Sequence, residues 1–236
     1  LNPGSWWAVA LTEDLQGHKP LGVVCAGQAI ALFRDTQGTP YALEDRCPHR
    51  RVPLSLGAVT PAGLQCPYHG WTFDGASGRC SAIPNLSADE PVPASYGVAH
   101  YPVLESHGFV HVWHGDDEPA STCPSNDYAP QGREFTGSAT VNIAFHEYLA
   151  AMLDGPDCLV QTPGVQVTDF YLGDWRREDG RLIVDRAASW AGERLAPEFQ
   201  TELPLIVRTS VPLQGGTMRL DLLSADERLL ARCRLA

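Results

Sequence analysis

Leu43-Glu44-Asp45-Arg46-Cys47-Pro48-His49-Arg50 and Cys66-Pro67-Tyr68-His69-Gly70-Trp71-Thr72-Phe73-Asp74 each set a histidine just behind a cysteine. The first stretch reads C-x-H, the second C-x-x-H, and sixteen residues separate His49 from Cys66. Both pairs lie in loops, one after Tyr41-Ala42-Leu43, the other after the turn-like Pro61-Ala62-Gly63. A thiolate is a soft metal ligand and a neutral imidazole a borderline one. Two loops that each offer one of each make a closed set of four.

Two metal groups suit four such ligands. Cys₂His₂ is a legitimate zinc set, but zinc sites usually pair C-x₂₋₄-C with H-x₃₋₅-H, and Cys47 with His49 is tighter and mixed in type. The mixed pairing suits a Rieske [2Fe–2S] centre, in which two cysteines hold one iron and two histidines the other. Each loop then spans both irons. Pro48 and Pro67 stiffen the loops, and Gly70 lets the backbone approach closely beside His69. Backbone N–H groups in such loops stabilise a sulfur-rich, negatively polarised cluster. Zinc stands as the alternative.

Composition narrows the rest. On a prior of roughly 100–200 residues per domain, 236 residues make one large domain or two small ones. Seventeen basic against 28 acidic residues leave a net charge of −11, which argues against gripping nucleic acid. A 44% hydrophobic fraction is that of a globular core, so disorder is not expected. No apolar run reaches the roughly 18–20 residues that span a bilayer, so no membrane is expected. The opening Leu1-Asn2-Pro3-Gly4-Ser5-Trp6-Trp7 has no basic region followed by an apolar one, as an export signal would. Seven scattered cysteines, an odd number, fit reduced thiols in a cytoplasmic setting better than a disulfide framework. Cys25, Cys80, Cys123, Cys158 and Cys233 lack a nearby histidine and read as core or incidental thiols. No nucleotide-binding glycine motif and no G-x-S-x-G elbow is present.

The two quoted stretches resemble the Rieske non-haem iron oxygenases, in particular the vanillate and dicamba O-demethylases, which are built as three-subunit rings. The resemblance runs from Trp6-Trp7-Ala8-Val9-Ala10-Leu11 to Val110-His111-Val112-Trp113-His114-Gly115-Asp116, and more weakly beyond. It implies a [2Fe–2S] cluster on Cys47, His49, Cys66 and His69. Respiratory Rieske proteins carry an extra cysteine in each ligand loop. Its lack here implies the low end of the Rieske range, roughly −150 mV. A ferredoxin or flavin reductase is the implied electron donor, and a trimer-like homo- or hetero-oligomer with oxygenase subunits the implied assembly.

The implied fold is α+β and mostly β: a Rieske β-sandwich domain over 1–118, then a shortened, truncated helix-grip domain over 119–236. The acidic, proline-bearing stretch from Asp116 to Pro130 reads as the boundary. Val23–Ala26 and Ile30–Asp35 predict a hairpin around Gly27-Gln28, and Tyr101–Val103 and Phe109–Trp113 predict closing strands. The second half predicts a strand at Thr136–Thr140, then a helix from about Asn142 to Asp154, with Phe145, Leu149, Met152 and Leu153 at helical spacing. Two hairpins follow, Phe170–Leu172 with Leu182–Val184 and Met218–Leu220 with Leu229–Ala231.

The family's catalytic domain holds a mononuclear iron by two histidines and a carboxylate, in a segment resembling D/N-x-L-L-D-x-x-H-x-x-x-x-H-P-G. Here the frame runs from Ala150 through Met152-Leu153-Asp154 to Pro163-Gly164, with Asp157 and Thr162 where the histidines belong. Ala150 replaces a polar residue, and Asp154 matches the family's bridging carboxylate. His146 alone cannot supply two imidazoles and reads as a polar helix position. His18, His100, His107, His111 and His114 read as surface or interface residues. No catalytic residue is assigned, and mononuclear iron is expected to be absent. The expected function is electron transfer to, or assembly with, a catalytic partner. A working monooxygenase or demethylase with unusual iron ligands is one alternative. The other is a binder of a small apolar or aromatic ligand, or a redox sensor, with a structural cluster.

Overall fold

The computed structural model describes residues 4–17, 19–87, 90–121, 143–156, 166–171, 173–191, 205–213 and 217–235. The chain divides into two compact units, Leu1–Gln131 with Ala236, and Gly132–Leu235. The expected strand at Thr136–Thr140, together with His18, Cys123, Asp157, Cys158 and Thr162, lies outside the described residues.

Among the described residues unit one carries eleven strands: β1 (Ser5–Leu11), β2 (Leu21–Cys25), β3 (Gln28–Arg34), β4 (Pro40–Glu44), β5 (Ala58–Thr60), β6 (Gly63–Gln65), β7 (Thr72–Phe73), β8 (Cys80–Ala82), β9 (His100–Tyr101), β10 (Val103–Ser106) and β11 (Phe109–His114). They form three antiparallel sheets, β2-β3-β4-β9, the meander β5-β6-β7-β8, and β1-β11-β10. Strand β3 shows why they pack together. Successive side chains of a strand point to opposite faces, and its apolar run is continuous, so both faces are covered. Ala31 and Phe33 enter one core cluster with Leu43, Leu54, Leu64 and Phe73. Ile30 and Leu32 enter another with Leu15, Val110 and Val112. Tight hairpins turn at Ala26-Gly27 and His107-Gly108, where both residues take positive φ as a two-residue primed turn requires.

Cys47, Cys66 and Cys80 belong to the first of those clusters, so the two ligand loops are rooted in the packing between the β2–β4 sheet and the meander. His111 corrects the expectation of a surface or interface position: it is 1% exposed. The reason is that β11 is the middle strand of its sheet, with β1 and β10 on either side.

Unit two holds α1 (Phe145–Asp154), β12 (Gln166–Phe170), β13 (Trp175–Glu178), β14 (Arg181–Ala191), β15 (Leu205–Pro212), β16 (Met218–Leu223) and β17 (Leu229–Leu235). The long β14 is the spine, pairing with β12 and β13 along one edge and β15 along the other, and β16 and β17 extend the sheet. Helix α1 buries Met152 against Val211 and Met218. Its start is tied by the Ala144 N–H donating to Glu147 Oε2 at 3.1 Å. Arg186 donates twice to the carbonyl of Leu153, at 3.1 and 2.9 Å, placing a cation at the helix C-terminus where the dipole favours it.

The fold is therefore mostly β, with antiparallel sheets and one α-helix among the described residues. The Met218–Leu220 with Leu229–Ala231 hairpin forms, within β16 and β17. The other expected hairpin shifts: Trp175–Glu178 pairs with Arg181–Val184 through Asp179-Gly180, while Phe170 pairs with Ala188 farther along β14. Asp179 and Gly180 both take positive φ, and that turn geometry fixes the register.

Candidate metal centre

Both ligand loops close in the same way. The Cys47 N–H donates to Val52 O at 2.9 Å, and the Arg51 N–H returns to Cys47 O at 2.8 Å. The Cys66 N–H donates to Trp71 O at 2.8 Å, and the Gly70 N–H returns to Cys66 O at 3.1 Å. In each, the residue four after the cysteine takes a left-handed conformation, Arg51 at φ 59° and Gly70 at φ 71°. Glycine adopts this freely, whereas arginine does so at a cost of about 1–2 kcal/mol.

The loops bring like ligands together. Cys47 and Cys66 are 2% and 3% exposed, close enough for one thiol to donate to the other. His49 and His69 are exposed, with ring centroids 4.6 Å apart. Burial pushes the Cys47 thiol up to about 11 and the neighbouring Cys66 adds to the rise, while the His49 and Arg50 backbone N–H groups oppose it. Those N–H groups point at the Cys47 sulfur, where they would stabilise a thiolate holding a metal. Local desolvation, then the charges of His69 and Arg50, hold His49 below the usual imidazole range, favouring the neutral, ligating form.

This geometry separates the two candidate metal groups. A single zinc ion needs four ligand atoms around one point. A thiol pair in the core and an imidazole pair at the surface instead match two irons, one per pair. The residues fit a Rieske [2Fe–2S] group.

Aromatic rings extend from the imidazole pair, and the sequence reading assigned them no part. Trp71 stacks on His49 at 5.0 Å with planes 6° apart, and Tyr96 stacks on Trp71 at 5.0 Å. On the other side Tyr68, 61% exposed, lies 3.9 Å from His69. Trp71 is visible in the motif, but Tyr96 arrives from a separate turn that nothing in local sequence links to His49.

In unit two, Asp154 is exposed at the end of α1, with Arg186 Nη2 at 3.7 Å, and His146 is exposed on the same helix. An open groove of about 530 Å³ runs between α1 and the β13–β14 hairpin, lined by Ala150, Leu153, Asp154, Trp175, Arg177 and Val184 among others. No helix among the described residues is long and apolar enough to cross a membrane.

Comparison with known proteins agrees with this geometry. Residues 5–102 match the family model of the Rieske [2Fe-2S] domain. The chain is 41% identical over 110 residues to oxidoreductase NdmD of Pseudomonas putida, an alignment covering 47% of this chain and 18% of that protein. It is 42% identical over 112 residues to the oxygenase component of dicamba O-demethylase from Stenotrophomonas maltophilia, covering 48% of this chain and 32% of that one. Its fold is similar to the crystal structure of dicamba monooxygenase bound to dicamba, with a TM-score of 0.73 and 27% identity, covering 95% of this chain and 67% of the other. These alignments thus reach only a fifth to a third of the two curated relatives, 18% and 32%.

Proposed function

Since residues 5–102 match the Rieske [2Fe-2S] domain and the fold is similar to that of dicamba monooxygenase, we propose that this chain is a member of the Rieske oxygenase family and an electron carrier that serves a catalytic iron held elsewhere. Cys47, His49, Cys66 and His69 hold the [2Fe–2S] cluster. Residues 1–118 form the cluster domain and residues 119–236 a helix-grip domain without its own mononuclear iron. The observation that carries the reading is the sorting of ligands by type, thiols paired in the core and imidazoles paired at the surface. A bound cluster supplies a one-electron couple that needs no bond to the donor or acceptor. The buried cysteines root it in the packed core. The exposed imidazole edges of His49 and His69 give a redox partner close approach.

The sequence at Asp157 and Thr162 supports the loss of the iron site, since neither side chain is an imidazole. Electrons arrive from a ferredoxin or flavin reductase in the cytoplasm, and leave for an oxygenase subunit in a homo- or hetero-oligomer. The groove beside α1 favours a second role for unit two, holding a small apolar or aromatic ligand.

Iron and sulfide quantitation with EPR tests the proposal. The expected result is two irons and two sulfides per chain, with a signal that appears only on reduction. A third iron with a mononuclear signal would overturn the loss of the iron site. Zinc without visible absorption would overturn the carrier reading itself.

A further inference from the structure

Arg46, Arg50 and Arg51 crowd the loop that carries His49 in a chain whose net charge is −11. All three are exposed. The two acids before them, Glu44 and Asp45, are the obvious local partners. Asp45 is already engaged, accepting from the Ser55 N–H at 2.7 Å and the Ser55 hydroxyl at 2.6 Å. None of the three arginines makes a side-chain hydrogen bond or ion pair with a described residue. Nor does the cluster require three cations: two ferric ions, two sulfides and two thiolates sum to zero, and reduction adds a single negative charge. The positive charge is thus surplus to what the loop and its cluster use.

The same surface exposes His49 and His69, and beside His69 the ring of Tyr68 stands 61% exposed. An exposed aromatic ring together with exposed guanidinium groups is a common composition at the centre of a protein–protein contact. We propose that Arg46, Arg50, Arg51 and Tyr68 form a docking face for an acidic one-electron donor protein, which seats over the His49–His69 edge. This rests on the electron-carrier reading. One electron passes from the donor's reduced centre to the cluster; the donor is oxidised by one electron, and no bond forms or breaks. The arginines steer and orient the encounter, and Tyr68 supplies an apolar contact beside His69.

The test uses the full chain with its cluster and, as probe, a reduced plant-type [2Fe–2S] ferredoxin, an acidic protein. Stopped-flow bleaching of the visible absorption reads the second-order rate. Reduced methyl viologen, a small cation that needs no docking face, is the control. The expected rate with ferredoxin falls at least about tenfold on raising salt, and at least about tenfold in the R46E/R50E/R51E variant at low salt. Tyr68→Ala slows it without changing its salt dependence. Reduction by methyl viologen keeps its wild-type rate or rises.

A ferredoxin rate indifferent to salt and to charge reversal overturns the docking face and leaves the carrier reading intact. Equal losses with both reductants also overturn it, by placing the arginines' role in cluster integrity. Salt-sensitive self-association abolished by R46E/R50E/R51E, with ferredoxin reduction unaffected, overturns it in favour of a second copy of this chain. Failure of the wild-type chain to hold any reducible cluster overturns both.

Discussion

Arg51 and Gly70 occupy equivalent places in two loops of the same hydrogen-bond pattern, each returning its N–H to the carbonyl of a buried cysteine four residues earlier, at 2.8 and 3.1 Å. Both take positive φ. Cys47 and Cys66 are therefore aimed by backbone closure, and that closure depends on a conformation most residues avoid.

Gly70→Ala tests this directly. Its new Cβ would lie 3.0 Å from Pro84 Cγ, on a backbone at φ 71°. The combined cost is about 1–3 kcal/mol. The expected variant melts at lower temperature and loses visible absorption faster in the presence of chelator. Arg51→Gly relieves left-handed strain but adds unfolded-state freedom, so its stability stays within about 1 kcal/mol of wild type. Equal melting temperatures for Gly70→Ala and wild type would remove the backbone argument.

Trp71 lies almost parallel to His49, 6° between planes, and is braced from behind by Tyr96. A stacked indole restricts rotation of the imidazole, so Trp71→Ala should broaden the EPR signal of the reduced protein and speed cluster loss. Trp71→Phe keeps a stacking surface and should recover most of the wild-type line shape. Loss of the aromatic stack is worth about 0.5–1.5 kcal/mol beyond area. An unchanged spectrum in Trp71→Ala would show that the ring merely fills space.

What sequence disclosed and what it hid follow the distance over which each signal acts. Ligand spacing is a property of the covalent chain, so the sequence alone groups Cys47, His49, Cys66 and His69 as one candidate set, and the structure brings the two thiols together and the two imidazoles together. The apolar run through β3 likewise announces a strand covered on both faces. The strand Trp175-Arg176-Arg177-Glu178 escaped because it has little apolar alternation and is held by its Asp179-Gly180 turn and by pairing with β14. Burial of His111 depends on β1 pairing with β11 across most of unit one, which no local window contains. Arg51 carries no mark of its left-handed backbone, since arginine is not a residue that favours it.

In unit two, Arg208 grips Asp185 with Nε to Oδ1 at 2.7 Å and Nη2 to Oδ2 at 2.9 Å, and Arg176 adds a bond at 2.7 Å. Asp185 and Arg208 face each other across β14 and β15. Burial pushes the Asp185 carboxyl up, but Arg208 and Arg176 outweigh it and hold it below its ordinary value of 3.8. A lowered folded pKa stabilises the fold above the unfolded value and loses that contribution as pH falls through the folded one. Asp185→Asn should therefore destabilise unit two at neutral pH by about 1–3 kcal/mol. It should also flatten the loss of stability below the ordinary carboxylate value. Urea unfolding at neutral and acid pH would read both effects, and a variant as acid-sensitive as wild type would dismiss the assignment.

Cys25 gives the opposite pH dependence. It is 5% exposed, in a core cluster with Ile30, Leu32 and Val110, away from the ligand loops. Burial raises its thiol from 9.0 to about 11. A raised folded value means the contribution is complete below the unfolded pKa, because the thiol is then neutral in both states. Above 9.0 the unfolded chain loses its proton while the folded one keeps it, so stability declines as pH rises towards about 11. Cys25→Ala removes the ionisable group and leaves a small cavity, so the variant starts less stable at neutral pH. Its alkaline decline should nevertheless be shallower than that of wild type. Urea midpoints followed from neutral pH to about pH 11 would measure both slopes. Parallel slopes would show that the buried thiol of Cys25 does not govern the alkaline limb.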